Sequence, residues 1–411
     1  MKNLLLSIAF FLSALLPVVA QTTVKPGTWR VVLKTKGGDL PFGLAIEPAK
    51  SATNTYTVFA LNGDERLLMD VATLTGDSLR IPLDIFETEL IGKVSGDVIR
   101  GFWRTKRTAT QSIQMPLEAR FGQTFRFPEN KTKPSADLSG TWATSFRRPG
   151  SADSSIAVGV FKQAGNRITG TFLTPTGDYR YLDGSVFGDS LLLSCFDGGH
   201  AFLFKAKHNP ATRTLTGAQW SGYTGYRTFA ARFDPNAKLP DPATMTFIKP
   251  GQTFGFSFPE PNGKLISLAD ERFKGKVTVV QLLGTWCPNC MDETNFLTPW
   301  IKRNRARGVE VVGLSFERTA VMAESGPKIE RMKQRFGVDY PVVLAGNNNN
   351  AEAAKQLPAL NQVAAFPTTV FVDKKGAVRH IHTGFSGPGT GHYYDDYVAE
   401  FNRLIDKLLA E

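Results

Sequence analysis

Apolar and polar residues alternate in short segments through the first 235 residues, and turn-forming residues separate the segments. In the second half of this region the alternation predicts eight strands, at 141–147, 156–162, 167–174, 178–186, 190–196, 201–207, 214–221 and 227–233. The breaks hold Gly165-Asn166, Thr176-Gly177, Gly188-Asp189, Gly198-Gly199 and Asn209-Pro210, residues suited to tight turns. Leu191, Leu193 and Cys195 alternate imperfectly with Leu192 and Ser194, as in a strand covered on both faces. Eight short strands joined by tight turns form an up-and-down meander, which removes its edges by closing into a barrel. The first half gives about eight such segments as well. Beyond Thr253 the period changes to strand–helix alternation. The apolar run 277–283 reads as a central strand, followed by a helix over 288–307 that ends at Gly308. Strands are expected at 310–316, 340–344, 368–372 and 378–383, helices at 328–336 and 394–409, and a small hairpin at 254–267 around Pro261-Asn262-Gly263.

The two β-rich halves repeat one another. Gly27-Thr28-Trp29 recurs as Gly140-Thr141-Trp142, and Gly76-Asp77-Ser78-Leu79 as Gly188-Asp189-Ser190-Leu191. Gly101-Phe102-Trp103 has a looser echo in Gly217-Ala218-Gln219-Trp220. The order is kept at an offset of roughly 110 residues, which marks a duplication. The polar segment 127–139 and the segment 234–251, which carries Pro235, Pro240, Pro242 and Pro250, read as linkers, the second stiff and extended. The fold class is therefore multidomain: two tandem all-β meander repeats, at 24–126 and 137–235, then an α/β domain at 245–411.

Lys2, the uncharged apolar run 4–16, and the small residues Val18 and Ala20 have the form of a secretory signal over residues 1–20. The run is too short to span a bilayer comfortably. The mature protein is expected to be exported, periplasmic or otherwise extracytoplasmic, and not membrane-spanning, in a compartment where disulfides persist. At 411 residues, with 42% hydrophobic and 21% charged, the chain can bury cores without disulfide staples. Three cysteines exclude a disulfide-rich scaffold and a multi-cysteine zinc framework. The net charge of +11 permits acidic partners, and residues 245–411, with 20 Lys/Arg against 17 Asp/Glu, hold little of it. No Lys/Arg run exceeds two residues, so nucleic acid is not indicated.

The chemistry lies in Trp286-Cys287-Pro288-Asn289-Cys290, where the central strand turns into its helix. A thiol at a helix N-terminus faces unpaired N–H groups and the positive dipole end, which favour the thiolate. Cys287 is thus the attacking sulfur and Cys290, one turn further in, the resolving one. Pro288 suits the first helical turn, where its missing N–H costs nothing. A half zinc site would need a second pair, which is absent, and a structural disulfide is the remaining alternative. About 80 residues on, Phe366-Pro367 opens the strand at 368–372.

Trp-Cys-x-x-Cys with the Phe366-Pro367-Thr368-Thr369 strand start resembles the thioredoxin superfamily, in particular its exported TlpA/ResA-like branch. The resemblance covers about 165 residues at the C-terminal end. It implies a cis Pro367 facing a redox-active Cys287–Cys290 disulfide, with Phe366 pairing to substrate backbone and Trp286 beside the pair. It also implies a catalytic role for Glu293, three residues after Cys290, in carrying the resolving thiol's proton. Gln281 stands where many thioredoxins hold a buried Asp, so that proton must rely on Glu293, water or Cys287. The function implied is an exported thiol–disulfide oxidoreductase, a reductase of protein disulfides recharged by a membrane thiol-reducing donor, with no bound cofactor. The same residues run in reverse in an oxidase or isomerase. The β repeats resemble lipocalin and avidin barrels only loosely, and they suit a scaffold or docking role, or a small apolar ligand.

Two rivals come from other classes. A thiol peroxidase would carry Pro-x-x-x-Thr/Ser-x-x-Cys, but the positions before Cys287 are Val280 and Gly284. A ligand- or partner-binding barrel protein would use the redox domain only as an auxiliary. Cys195 reads as a buried inert thiol. His380 and His382 share a strand face without a third ligand, so no metal is expected. Residues 347–350 read as a polar loop tip, and Glu317-Arg318 lies at the sheet's C-terminal end, where ligands often sit.

Overall fold

The computed structural model describes residues 22–50, 52–106, 111–128 and 132–411. The expected signal segment lies outside the described residues. Nine antiparallel strands run from Gly27–Thr35 to Ser112–Phe121, and nine more from Gly140–Arg147 to Gly225–Phe233. In each set eight strands pair into a closed ring, and the ninth, Glu65–Leu68 or Gly177–Asp178, is a flap beside one strand. Two closed eight-stranded barrels thus precede a mixed α/β domain of thioredoxin-like topology.

The repeated tripeptide has one structural meaning in both barrels. Gly27 and Gly140 hold φ of +129° and +112°, which a side chain would strain. The rings of Phe121 and Phe233 cover them in the space a Cβ would take. Trp29 and Trp142 pack edge-on to those same rings at 5.4 and 5.5 Å. Each indole N–H donates to a carbonyl four residues back, that of Lys25 or Leu138, at 3.0 Å. The third echo is shifted. Gly92 pairs Gly101 and Leu90 pairs Trp103, while Ala206 pairs Gly217 and Phe204 pairs Gln219. Gln219 therefore occupies the place of Trp103. Trp220, one residue on, faces outward against Gly37 of the first barrel, because a one-residue offset changes face. The expected strand 178–186 is also broken. Arg180 takes φ +56°, and Leu182–Phe187 starts beyond it.

The second barrel is packed with aromatic rings. Phe146, Phe172, Phe204 and Phe229 fill it, with ring centroids 5.1–6.3 Å apart. Burying each such side chain stabilises the fold by roughly 1.5–3 kcal/mol. The open surface is the barrel's mouth. The barrels also share a core: Phe196 of the second stacks on Phe42 of the first at 4.2 Å and meets Trp103 edge-on. The fully buried Asn62 side chain donates to the Phe196 carbonyl and accepts its N–H, at 2.9 and 3.0 Å.

The C-terminal sheet has the order Val342–Asn347, Val309–Glu317, Val277–Leu283, Thr368–Val372, Val378–Thr383. The first three strands are parallel, and Thr368–Val372 runs antiparallel to the central one. Every residue of Val277–Leu283 is buried, as its apolar run requires. Helix α1 spans Pro288–Asn304, and a short 3₁₀ turn carries the chain on to Gly308. Helix α2, Met322–Phe336, starts six residues earlier than its pattern indicates and holds Pro327 inside. Helix α3, Asn350–Gln356, follows directly on the expected loop tip, because the Asn349 carboxamide accepts the N–H groups of Ala351 and Glu352. Helix α4, His392–Ala410, packs on α1 through Phe401 against Phe296 and Trp300. The proline-rich segment 234–251 is not a free spacer. Phe247 and Lys249 donate backbone N–H groups to Asn361 and Ala359, and Ile248 bridges Leu360. Among the described residues no helix is long and apolar enough to cross a membrane.

Candidate active site

The central strand ends at Leu283, and α1 begins at Pro288. Glu317, the last residue of the neighbouring strand, holds the turn between them. Its buried carboxylate accepts the Thr285 N–H at 2.9 Å, the Thr285 hydroxyl at 2.8 Å and the Ser315 hydroxyl at 2.6 Å. Arg318 pairs with Glu87 of the first barrel at 3.1 Å. Glu317 therefore positions the turn and Arg318 docks the first barrel.

Cys287 is the N-cap of α1. Its Sγ accepts the Cys290 N–H at 3.3 Å and donates to the Phe366 carbonyl at 3.5 Å. The Phe366–Pro367 peptide is cis. Both sulfurs are unbridged thiols, Cys287 at 7% exposure and Cys290 at 0%. Burial pushes the Cys290 thiol well above its ordinary range, and the neighbouring Cys287 sulfur raises it further. The Trp286 indole donates to the Phe316 carbonyl at 2.8 Å and stands edge-on to Phe366 at 5.9 Å. Trp286, Cys287, Pro288, Asn289 and Phe366 thus form one continuous surface.

Glu293 is fully buried, not a solvated helix carboxylate. It accepts hydrogen bonds from Thr369 at 2.6 Å, Gln281 at 2.8 Å and Tyr397 at 3.1 Å. Burial outweighs these three donors and raises its carboxyl to about 7. Gln281 Nε2 also reaches the Cys290 carbonyl at 3.4 Å, so the residue in the family's aspartate place is a brace for Glu293. Thr369 was legible as a polar residue in an apolar strand. Tyr397, 104 positions from Glu293, carried no such signal.

The barrels press on this helix end. Asn289 Nδ2 donates to the Asp178 carbonyl at 3.3 Å, and Pro288 sits against Gly199. Arg180, 6% exposed, joins all three domains. It bonds Asp292 of α1, Glu65 of the first barrel at 2.5 Å, and stands 3.9 Å from Asp197 of its own barrel. The three carboxylates hold this guanidinium charged despite its burial, and burial raises Asp292 to about 6. Cys195 is buried in the second barrel with its thiol pushed up by desolvation. The rings of His380 and His382 lie 6.4 Å apart, and no group of three or more metal-ligating side chains lies together among the described residues.

A family model described as Redoxin matches residues 242–397, so the barrels lie outside it. The chain is similar to the thiol-disulfide oxidoreductase ResA of Bacillus subtilis (strain 168), 29% identical over 139 residues, covering 34% of this chain and 69% of that one. It is similar to the thiol:disulfide interchange protein DsbE of Allochromatium vinosum, 29% identical over 156 residues, covering 38% of this chain and 75% of that one. Among solved structures it resembles a thioredoxin family thiol:disulfide interchange protein from Chlorobium tepidum TLS, with a TM-score of 0.30 and 24% identity over 40% of this chain and 99% of that one.

Proposed function

The C-terminal part of this chain is a TlpA/ResA-like domain of the thioredoxin superfamily and a thiol–disulfide oxidoreductase, and from that premise we propose that it is an exported reductase of protein disulfides working through Cys287 and Cys290. The observation that carries this reading is the Cys287 sulfur at the N-terminus of α1, bonded to the Cys290 N–H and facing the carbonyl before Pro367. The Cys287 thiolate attacks one sulfur of the substrate disulfide and forms a mixed disulfide. The other substrate sulfur leaves as a thiolate and takes a proton. Cys290 then loses its proton and attacks Cys287 Sγ. This releases the second substrate thiol and leaves a Cys287–Cys290 disulfide. The substrate gains two electrons and two protons, and the domain loses them.

Glu293, buried one helical turn from Cys290, takes the proton from Cys290, since a carboxyl at about 7 exchanges protons at neutral pH. Phe366 and Trp286 seat the substrate backbone beside Pro367. A membrane thiol donor restores the dithiol. Export places the pair in a compartment where disulfide substrates accumulate. The test is equilibration of the full chain in thiol buffers, with Cys290→Ser as a trap. The expected results are a potential near about −270 mV and a stable mixed disulfide on Cys287. A potential near about −120 mV would make the protein an oxidant, and absence of any equilibration would remove the redox role.

A further inference from the structure

Cys287 opens onto a cleft of about 910 Å³ between the redox domain and the second barrel. One wall is the surface of Trp286, Cys287 and Phe366. The other is the barrel's mouth, where the hairpin ends carrying Arg148, Ile156, Thr176 and Tyr226 converge. This mouth is the open end of a barrel whose core is packed with phenylalanines, and Phe146, Tyr179, Phe202 and Gln219 form its floor.

Three properties of that wall point to a definite occupant. First, Ile156 and Tyr226 are exposed, at 45% and 42%, beside the reacting sulfur. Second, Arg148 and Arg227 line the cleft, and no carboxylate pairs with either among the described residues; the ion pairs formed lie elsewhere. Third, the Asp178 carboxylate that lines the cleft is already committed, accepting the N–H groups of Arg180 at 2.6 Å and Gly387 at 2.7 Å. Two arginines against this one carboxylate leave the wall facing Cys287 net positive, with exposed apolar side chains beside them. A surface of this composition complements an extended polypeptide with carboxylates next to an apolar residue.

We propose that the mouth of the second barrel is the substrate-selecting half of the active site, and that it holds an acidic polypeptide segment flanking the substrate's cysteine. The barrels then belong to the reaction: they choose which disulfide reaches Cys287. The inference rests on the thiol–disulfide reading above, and the experiment separates the two.

Full-length protein, reduced and freed of reductant, is mixed in single turnover with two synthetic peptides. Each carries one cysteine as a mixed disulfide with 2-thiopyridine, flanked by Glu in one peptide and by Lys in the other. Cys287 attacks the peptide sulfur and pyridine-2-thione leaves, and its absorbance reports the rate. The Glu peptide is expected to react about threefold to tenfold faster at low salt, with the ratio shrinking as salt is added. In Arg148→Gln/Arg227→Gln that ratio falls to about one, and Arg148→Glu/Arg227→Glu inverts it. The ratio is internal to each protein, so a general loss of folded material does not mimic the effect. Equal rates for the two wild-type peptides, or a ratio unmoved by the arginine variants, would overturn the proposal while leaving the redox reading intact. So would an equal gain for bis(2-carboxyethyl) disulfide over bis(2-hydroxyethyl) disulfide, which would make the cleft a site for small anions. Failure to react with either peptide and with bis(2-hydroxyethyl) disulfide would overturn both.

Discussion

Replacing Glu293 by Gln should change how stability depends on pH more than it changes stability itself. The Glu293 carboxyl moves from an ordinary 4.5 to about 7 on folding, because burial outweighs the Thr369, Gln281 and Tyr397 donors. The folded state therefore binds this proton more tightly than the unfolded chain does. Stability from this group is present below about 4.5 and is lost as pH rises through about 7. The shift corresponds to about 3 kcal/mol between pH 4.5 and 8, at 1.36 kcal/mol per unit. The amide does not titrate, so Glu293→Gln lacks this loss. It has a different cost, constant with pH. Its NH₂ meets Gln281 Nε2, which is held in place by the Cys290 carbonyl at 3.4 Å and, through Oε1, by Thr294 at 3.3 Å. Two donors facing each other leave a buried polar group unmatched, at about 1–3 kcal/mol. Scanning calorimetry of the full chain at pH 4.5, 6, 7 and 8 reads both effects in the transition in which the redox domain unfolds. For a domain of this size the titrating part amounts to about 6–12 °C. The wild type starts above the variant at pH 4.5 and falls toward or below it by pH 8. Asp292, His380 and His382 titrate in both proteins and cancel in the difference. A wild-type-minus-variant gap that stays constant across pH would refute the reasoning.

Arg180→Met should cost about 3–5 kcal/mol, because it leaves Glu65, Asp197 and Asp292 buried against one another without their cation. Calorimetry should then show the barrel and redox transitions separating, and a single unchanged transition would count against the three-domain node. Gly177→Ala places a Cβ 2.1 Å from Asn289 Nδ2 at a φ of +139°, so the Asn289 carboxamide must swing away and give up its bond to the Asp178 carbonyl. Iodoacetamide should alkylate Cys287 faster in this variant, and an unchanged rate would show the contact to be irrelevant to access. Tyr397→Phe removes one donor to the Glu293 carboxylate at 3.1 Å, so its pKa should rise above about 7, by about half a unit to one unit. Carbon-13 titration of the Glu293 carboxyl would read the shift, and a fall in pKa would reverse the assigned direction.

Much of this molecule was legible from local chemistry. Period-two alternation and turn residues located 190–196 and 214–221 as Ser190–Phe196 and Thr214–Ser221, because a strand's face is set by each residue's own parity. The near-continuous apolar run 277–283 reads as a strand covered on both faces, and Cys287-Pro288 carried the marks of a helix start in its own few residues. What the sequence left open involves residues far apart along the chain. Trp103 and Trp220 look equivalent as letters, but register puts one in a core and the other on an interface. Glu293 reads equally well as a solvated carboxylate until Gln281, Thr369 and Tyr397 are seen to enclose it. Arg180 sits in a segment that alternates like a strand, and only Glu65 and Asp292, 115 and 112 positions away, explain its turn and its burial. Desolvation and ion pairing depend on what surrounds a group in space. The chain's own pattern therefore determined the elements and the place of the Cys287–Cys290 pair, and tertiary packing alone decided the hydrogen-bond network around Glu293 and the barrel mouth that faces the pair.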